Sequence, residues 1–182
     1  MSWGWLLVLA LVLLLLGIYL SMTAGRLDRL HLRIESAERA LDAQLTLRAA
    51  ITMDLAVSGL VDPVLGAVLT DAARTARTSA GVGVREREIA ESDLSRILSL
   101  AFQDPEDVIE IQKDSEGAIF LAELAATCRR VELSRRFLND AVRACRQVRS
   151  QRMARWFHLA GHTSWPQTVE MDDTLPPLLS TS

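Results

Sequence analysis

The sequence predicts an all-α protein, an N-terminal transmembrane helix continuing into an antiparallel bundle of about four long helices. Three observations carry this expectation. No charged side chain occurs from Met1 to Gly25, and between Leu6 and Leu20 nine leucines, two valines and one isoleucine fill fifteen positions. The long segments that follow repeat their apolar residues at helical spacing, with no alternating strand pattern. Ala, Leu and Arg dominate a chain with one tyrosine and five prolines, a composition that favours helix over sheet.

The apolar run sets the location of everything else. About twenty residues at ~1.5 Å each cross the ~30 Å hydrocarbon core of a bilayer. The twelve strongly apolar residues contribute at most roughly 4 to 7 kcal/mol of insertion free energy. A cleavable signal peptide is the competing reading, but it needs a basic leader, a shorter apolar core and small residues before the cut. Here the leader has no Lys or Arg, the run is too long, and Met22 would sit at the -3 position for cleavage after Ala24. Arg26, Arg29, Arg33 and Arg39 follow the span. The positive-inside rule therefore places the N-terminus outside and the C-terminal bulk in the cytoplasm, with Trp3 and Trp5 suited to an interfacial belt. The predicted organisation is residues 1–25 as anchor and flank, 26–171 as one helical bundle domain and 172–182 as a disordered tail.

Leu27, Leu30, Ile34, Ala37 and Leu41 mark one buried face of a first helix, uninterrupted by Pro or Gly between Arg26 and Ser58. The anchor can thus run on into the bundle. Beyond Leu41 the seam is read through Leu45, Ala49, Met53 and Ala56, a four-residue stutter. Ser58-Gly59 is the expected stop. Asp62-Pro63 opens a second helix to about Thr78, the carboxylate capping free amides and the proline standing where no donor is needed. A third helix spans roughly Arg85 to Phe102, with Ile89, Leu94, Ile97, Leu98 and Ala101 on its apolar side. Asp104-Pro105 repeats the start signal for a short turn. The last helix, Ala118 to about Ala160, carries a heptad seam through Leu121, Leu124, Cys128, Val131, Leu138, Val142, Cys145, Trp156 and Leu159, with Arg135, Arg149 and Arg152 as its exceptions. Gly161 ends it.

Charge is unevenly spread. Residues 26–127 carry eleven basic and eighteen acidic side chains, whereas residues 128–160 carry nine arginines against Glu132 and Asp140, so the acidic part is expected to pack along the basic part. Arg135, Arg136, Arg143 and Arg146 fall within about 100° around the helix axis and form a candidate interaction surface, for which a helix bearing Glu86, Glu91 and Asp93 offers internal partners. On a rod perpendicular to the bilayer much of this stripe lies beyond the ~10 Å Debye length. Arg26, Arg29 and Arg33 are the candidate lipid-headgroup contacts.

Enzyme chemistry finds no foothold in these residues. Cys128 and Cys145, seventeen residues or about 25 Å apart on one helix, cannot bridge each other and read as buried thiols. His158 and His162 have Gly161 between them and no acidic residue, unlike a zinc site of the His-Glu-x-x-His kind. Gly81-Val82-Gly83 lacks the strand, third glycine and Lys-Ser of a phosphate loop. No catalytic residue, cofactor or metal ligand is assigned.

Three stretches nevertheless resemble the LemA family, bacterial single-pass membrane proteins built from an N-terminal transmembrane helix and a bundle of long helices. Asp42-Ala43-Gln44-Leu45 with Arg48 is similar to the family's Asp-x-Gln-Leu-x-x-Arg. Glu91-Ser92-Asp93-Leu94-Ser95-Arg96-Ile97-Leu98 is similar to its third-helix segment. Arg135-Arg136-Phe137-Leu138-Asn139-Asp140-Ala141-Val142 resembles Arg-Arg-x-Tyr-Asn-Asp-x-Val, with Leu138 in place of Tyr. The Pro-Asn segment usual after the first motif is absent around Thr52 to Leu55, and the closing aromatic motif survives only as Ala160-Gly161-His162 and Val169-Glu170. The resemblance implies architecture and location and brings no catalytic residues. The expected function is a membrane-anchored structural or interaction protein at the inner face of the cell membrane. Its expected partners are the bilayer and other membrane or membrane-associated proteins, with a homo-oligomer as one form and nucleic acid disfavoured. The alternatives are a regulatory or ligand-binding subunit of a membrane enzyme complex, or a binder of an anionic partner, lipid or nucleic acid, through the arginine-rich helix.

Overall fold

The computed structural model describes residues 3–150 and 165–179, and no strand occurs among them. Five helices follow one another: α1 (Trp3–Val57), α2 (Pro63–Ser79), α3 (Val84–Ala101), α4 (Pro105–Lys113) and α5 (Ser115–Arg149). A single 3-10 turn, Pro177–Leu179, closes the described chain. The part of the last-helix seam at Arg152, Trp156 and Leu159 lies outside the described residues, as do His158, Gly161 and His162.

α1 is one unbroken helix of 55 residues, about 80 Å of rise. The apolar run and the first bundle helix are therefore the same element. Its N-terminal stretch is exposed throughout, from Trp3 at 84% to Leu14 at 60%, whereas Thr23, Leu27, Ile34, Leu41 and Leu45 are buried. At its C-terminus the Ser58 hydroxyl donates to the Leu55 carbonyl at 2.8 Å, and Gly59 adopts φ +81°, the left-handed conformation that glycine takes without a Cβ penalty.

The starts of α2, α4 and α5 follow cap chemistry. Asp62 Oδ1 accepts from the amides of Val64 at 2.8 Å and Leu65 at 3.3 Å, with Pro63 at the first helical position. Asp104 Oδ1 accepts from Glu106 N at 2.9 Å, and Asp114 Oδ1 from Glu116 N at 2.8 Å. The Asp114 cap starts α5 three residues before the expected Ala118, so Gly117 lies inside the helix. There it permits contact: a Cβ on Gly117 would run into the Ile111 carbonyl at the end of α4.

The chain divides into two compact units. The first comprises Met1–Ala37 and Leu138–Thr168, the second Glu38–Phe137 and Val169–Ser182. In place of one bundle domain over 26–171, α1 and α5 each contribute to both. In the second unit Gln44 meets Arg130 and Leu55 shares a core with Leu121 and Leu124, so α1 and α5 run antiparallel there. Leu69, Ala73 and Ala76 of α2 and Leu94 and Leu98 of α3 complete that core. α2 approaches α1 closely, since a Cβ on Gly66 would lie 2.7 Å from the Ala56 carbonyl oxygen. Gly66→Ala is accordingly expected to cost about 1–3 kcal/mol, read as a lower denaturation midpoint, while Gly81→Ala, whose Cβ meets nothing within 4 Å, should leave the midpoint in place.

The expected disordered tail is replaced by a strap. Residues 169–179 lie on the second unit, with Met171 and Leu179 buried and Leu175 and Leu178 packed against the core. The prolines and polar residues suggested disorder, but these apolar positions anchor the segment.

Candidate functional site

The densest polar feature of the second unit is built on a charge at a seam position. α1 buries Leu41, Leu45, Arg48, Thr52 and Leu55, an unbroken 4-3-4-3 heptad that passes through an arginine and a threonine. Ala49 is buried beside it, but Met53 and Ala56 are only half-buried, so the stutter expected after Leu41 does not occur. α3 does the same with opposite sign. Its buried face is Ala90, Glu91, Leu94, Ser95, Leu98 and Ala101, and Ile89, expected on that face, is 55% exposed.

The two seams meet in an ion pair. Arg48, 1% exposed, donates from Nη2 to Glu91 Oε2 at 2.6 Å and to the Glu91 carbonyl at 3.2 Å, and from Nη1 to Ser95 Oγ at 2.9 Å. Glu91 is 2% exposed. Ser95 in turn donates to the Glu91 carbonyl at 3.1 Å, and Thr52 Oγ1 to the Arg48 carbonyl at 2.8 Å. Arg48 Nε is buried without a hydrogen-bond partner. Burial pushes the Cys128 thiol up from its usual range, with the neighbouring Arg48 guanidinium opposing. Such a thiol is a packing group, the thiolate being the nucleophile.

A half-exposed layer surrounds this core. Arg87 pairs with Asp42, and Arg130 donates from Nε to Gln44 Oε1 at 3.0 Å and from Nη2 to Thr127 Oγ1 at 2.9 Å. The strap completes it. Glu170 N donates to Glu88 Oε1 at 2.8 Å, Asp172 N to Ser92 Oγ at 2.9 Å, and Arg135 forks onto Asp173 at 2.6 and 2.9 Å. The Asp173 bonds hold the Arg135 guanidinium above its ordinary pKa. Bonds from the Thr174 hydroxyl and amide hold the Asp172 carboxyl below its own.

The arginine stripe of α5 is thereby divided. Arg135, in the second unit, binds Asp173, and Arg136 pairs with Glu132 one turn away. Arg143 and Arg146 belong to the first unit, where Arg143 lies 3.3 Å from Asp140 and Arg146 Nε donates to the Pro166 carbonyl at 2.8 Å. Glu91, expected as a partner for the stripe, is consumed by Arg48. Arg26, Arg29 and Arg33 are exposed on α1.

Chemically this cluster pins helices. It is closed to solvent, and no group of three or more His, Cys, Asp and Glu converges on a metal position among the described residues. An open groove of about 600 Å³ lies elsewhere in the second unit, lined by Ala56, Val57, Gly66, Ala67, Thr70, Asp71 and Arg74 among others. It brings together one carboxylate, one guanidinium and the Thr70 side chain.

Comparison with known proteins finds no matching family model, curated protein or solved structure.

Proposed function

We propose that the chain is a membrane-anchored helical structural and interaction protein of LemA type, with its N-terminus outside and its helical domain at the inner face of the cell membrane. The observation that carries this reading is α1: one unbroken helix is apolar and exposed over its first twenty-odd residues and buries a seam thereafter. It is long and apolar enough to cross a membrane. A soluble protein would expose that apolar surface to water at about 25 cal/mol for each Å². The arginines at 26, 29, 33 and 39 support the orientation. The motif residues support the family: Asp42, Gln44 and Arg48 of the first stretch, Glu91, Ser92 and Ser95 of the second and Arg135 of the third all engage in the polar bonds described above.

The rigid, closed core favours a scaffold over a catalyst, its exposed helix faces being available to membrane or membrane-associated proteins. The topology is tested by fusions after Ser182. A fluorescent protein is expected to fluoresce there and alkaline phosphatase to be inactive; the reverse pattern rejects the orientation. Isolation of the tagged chain from solubilised membranes tests the role, a stoichiometric protein partner supporting the scaffold and a co-purifying small molecule rejecting it.

A further inference from the structure

The two compact units differ sharply in charge. The first carries eight arginines against three carboxylates, Asp28, Glu35 and Asp140, a net of +5. The second carries twelve basic and twenty acidic side chains, a net of -8. The positive unit is the one that contains the apolar span. Within it the buried stripe of α1 runs from Thr23 through Leu27 to Ile34, about 16 Å at ~1.5 Å per residue. The buried stripe of α5 runs from Leu138 through Val142 and Cys145 to Val148, about 15 Å. Both stripes belong to the same compact unit, and the α1 stripe begins where the exposed apolar run ends.

This places the α5 arginines differently from the sequence-based expectation. They share the short stretch next to the span with Arg26, Arg29 and Arg33. Arg143 is exposed, Arg146 and Arg149 are half-buried, and the Arg149 guanidinium lies over the Trp165 ring at 5.0 Å. Trp165 itself is 51% exposed, an amphipathic ring of the kind that sits at headgroup level. Long arginine stems carry their charge several ångströms toward the interface.

We propose that Arg26, Arg29 and Arg33 of α1 and Arg143, Arg146 and Arg149 of α5 form one surface that binds the anionic phospholipid headgroups around the span. The inference rests on the membrane-anchored reading. Anionic lipid is the occupant because the unit that holds these residues also holds the apolar run and carries eight arginines against three carboxylates. The leaflet that attracts such a surface is the anionic cytoplasmic one, the side to which the flanking arginines assign it.

The test uses the full chain reconstituted into phosphatidylcholine vesicles containing a trace of spin-labelled phosphatidylglycerol or spin-labelled phosphatidylcholine. The readout is the relative association of each with the protein boundary. Several-fold preference for phosphatidylglycerol is expected at low salt, falling toward unity at high salt. Changing Arg143, Arg146 and Arg149 together to Gln should remove a large part of it, as should the same change at Arg26, Arg29 and Arg33, with helical circular dichroism retained. Changing Arg143, Arg146 and Arg149 to Lys keeps the charge while losing the Arg146 Nε bond to the Pro166 carbonyl and should retain the preference. If the α5 glutamine variant keeps full preference, or the lysine variant loses it, the two-helix surface is overturned. Extraction of the native chain from the vesicles by alkaline carbonate would instead reject the anchor, a separate outcome from loss of lipid preference.

Discussion

Arg48→Met is expected to lower the stability of the full chain by about 3–5 kcal/mol, because it leaves the Glu91 carboxylate buried with its cation gone. Glu91→Leu should cost a similar amount for the converse reason, stranding a guanidinium that is 1% exposed. The double substitution Arg48→Met with Glu91→Leu is expected to recover most of the loss. Two buried charges pay desolvation that their attraction only roughly repays, and well-packed apolar groups of similar size do as well. The measurement is a double-mutant cycle on the detergent-solubilised protein, followed by thermal circular dichroism, with each single variant lowering the midpoint by on the order of 10 °C. Single variants that melt with the native chain would mean that water reaches the pair. The bonds to Ser95 Oγ and the Glu91 carbonyl add a geometric demand that apolar replacements cannot meet. The pair therefore acts on register: with a 4-3-4-3 seam on α1, sliding α3 by one turn would bury two charges unpaired.

The starts of α2 and α4 were readable because their chemistry is local. Asp62 and Asp104 cap amides two residues on, and Gly59 ends α1 with a positive φ, all decided within four residues. The α5 seam was readable because its apolar residues fall in heptads, and Leu121, Leu124, Cys128, Val131, Leu138, Val142 and Cys145 are all buried. What periodicity missed is the charged seam position. It assigns arginine and glutamate to the surface, so it displaced the α1 seam onto Met53 and Ala56 and put Ile89 on the α3 face in place of Glu91. The signal was present as a heptad that continues if Arg48 and Thr52 are admitted to it. The same rule reads Arg135 and Arg149, exceptions on the α5 seam: each has a specific partner, Asp173 for one and the Trp165 ring for the other. Those partners lie 38 and 16 residues away, brought in by long-range packing. The strap was unreadable for that reason, its anchors Met171 and Leu179 being too sparse to show a period.

Val142→Asp is expected to be at least as damaging as either single change at the ion pair. Val142 is fully buried in the first unit, between Leu138 and Cys145 on the α5 seam, and burial there raises the Cys145 thiol above its usual pKa. A carboxylate at this position loses its hydration with no partner supplied, a cost of about 3–5 kcal/mol, or it takes up a proton and leaves a polar group among apolar neighbours. The one cation within a helical turn on the same face is Arg146. Its Nε is bonded to the Pro166 carbonyl at 2.8 Å, so neutralising the new charge would release that tether. Val142→Ala separates the effects: it creates the cavity without the charge and should cost about 1–3 kcal/mol. Arg143→Ala, next along the chain but exposed and bonded only within its own helix, to Asp140 and to the Asn139 carbonyl, should shift stability by no more than about 0.5 kcal/mol. The ordering Val142→Asp, then Val142→Ala, then Arg143→Ala in denaturation midpoint is the expected result. An Asp variant as stable as the Ala variant would show that the face of α5 carrying Val142 is open to water.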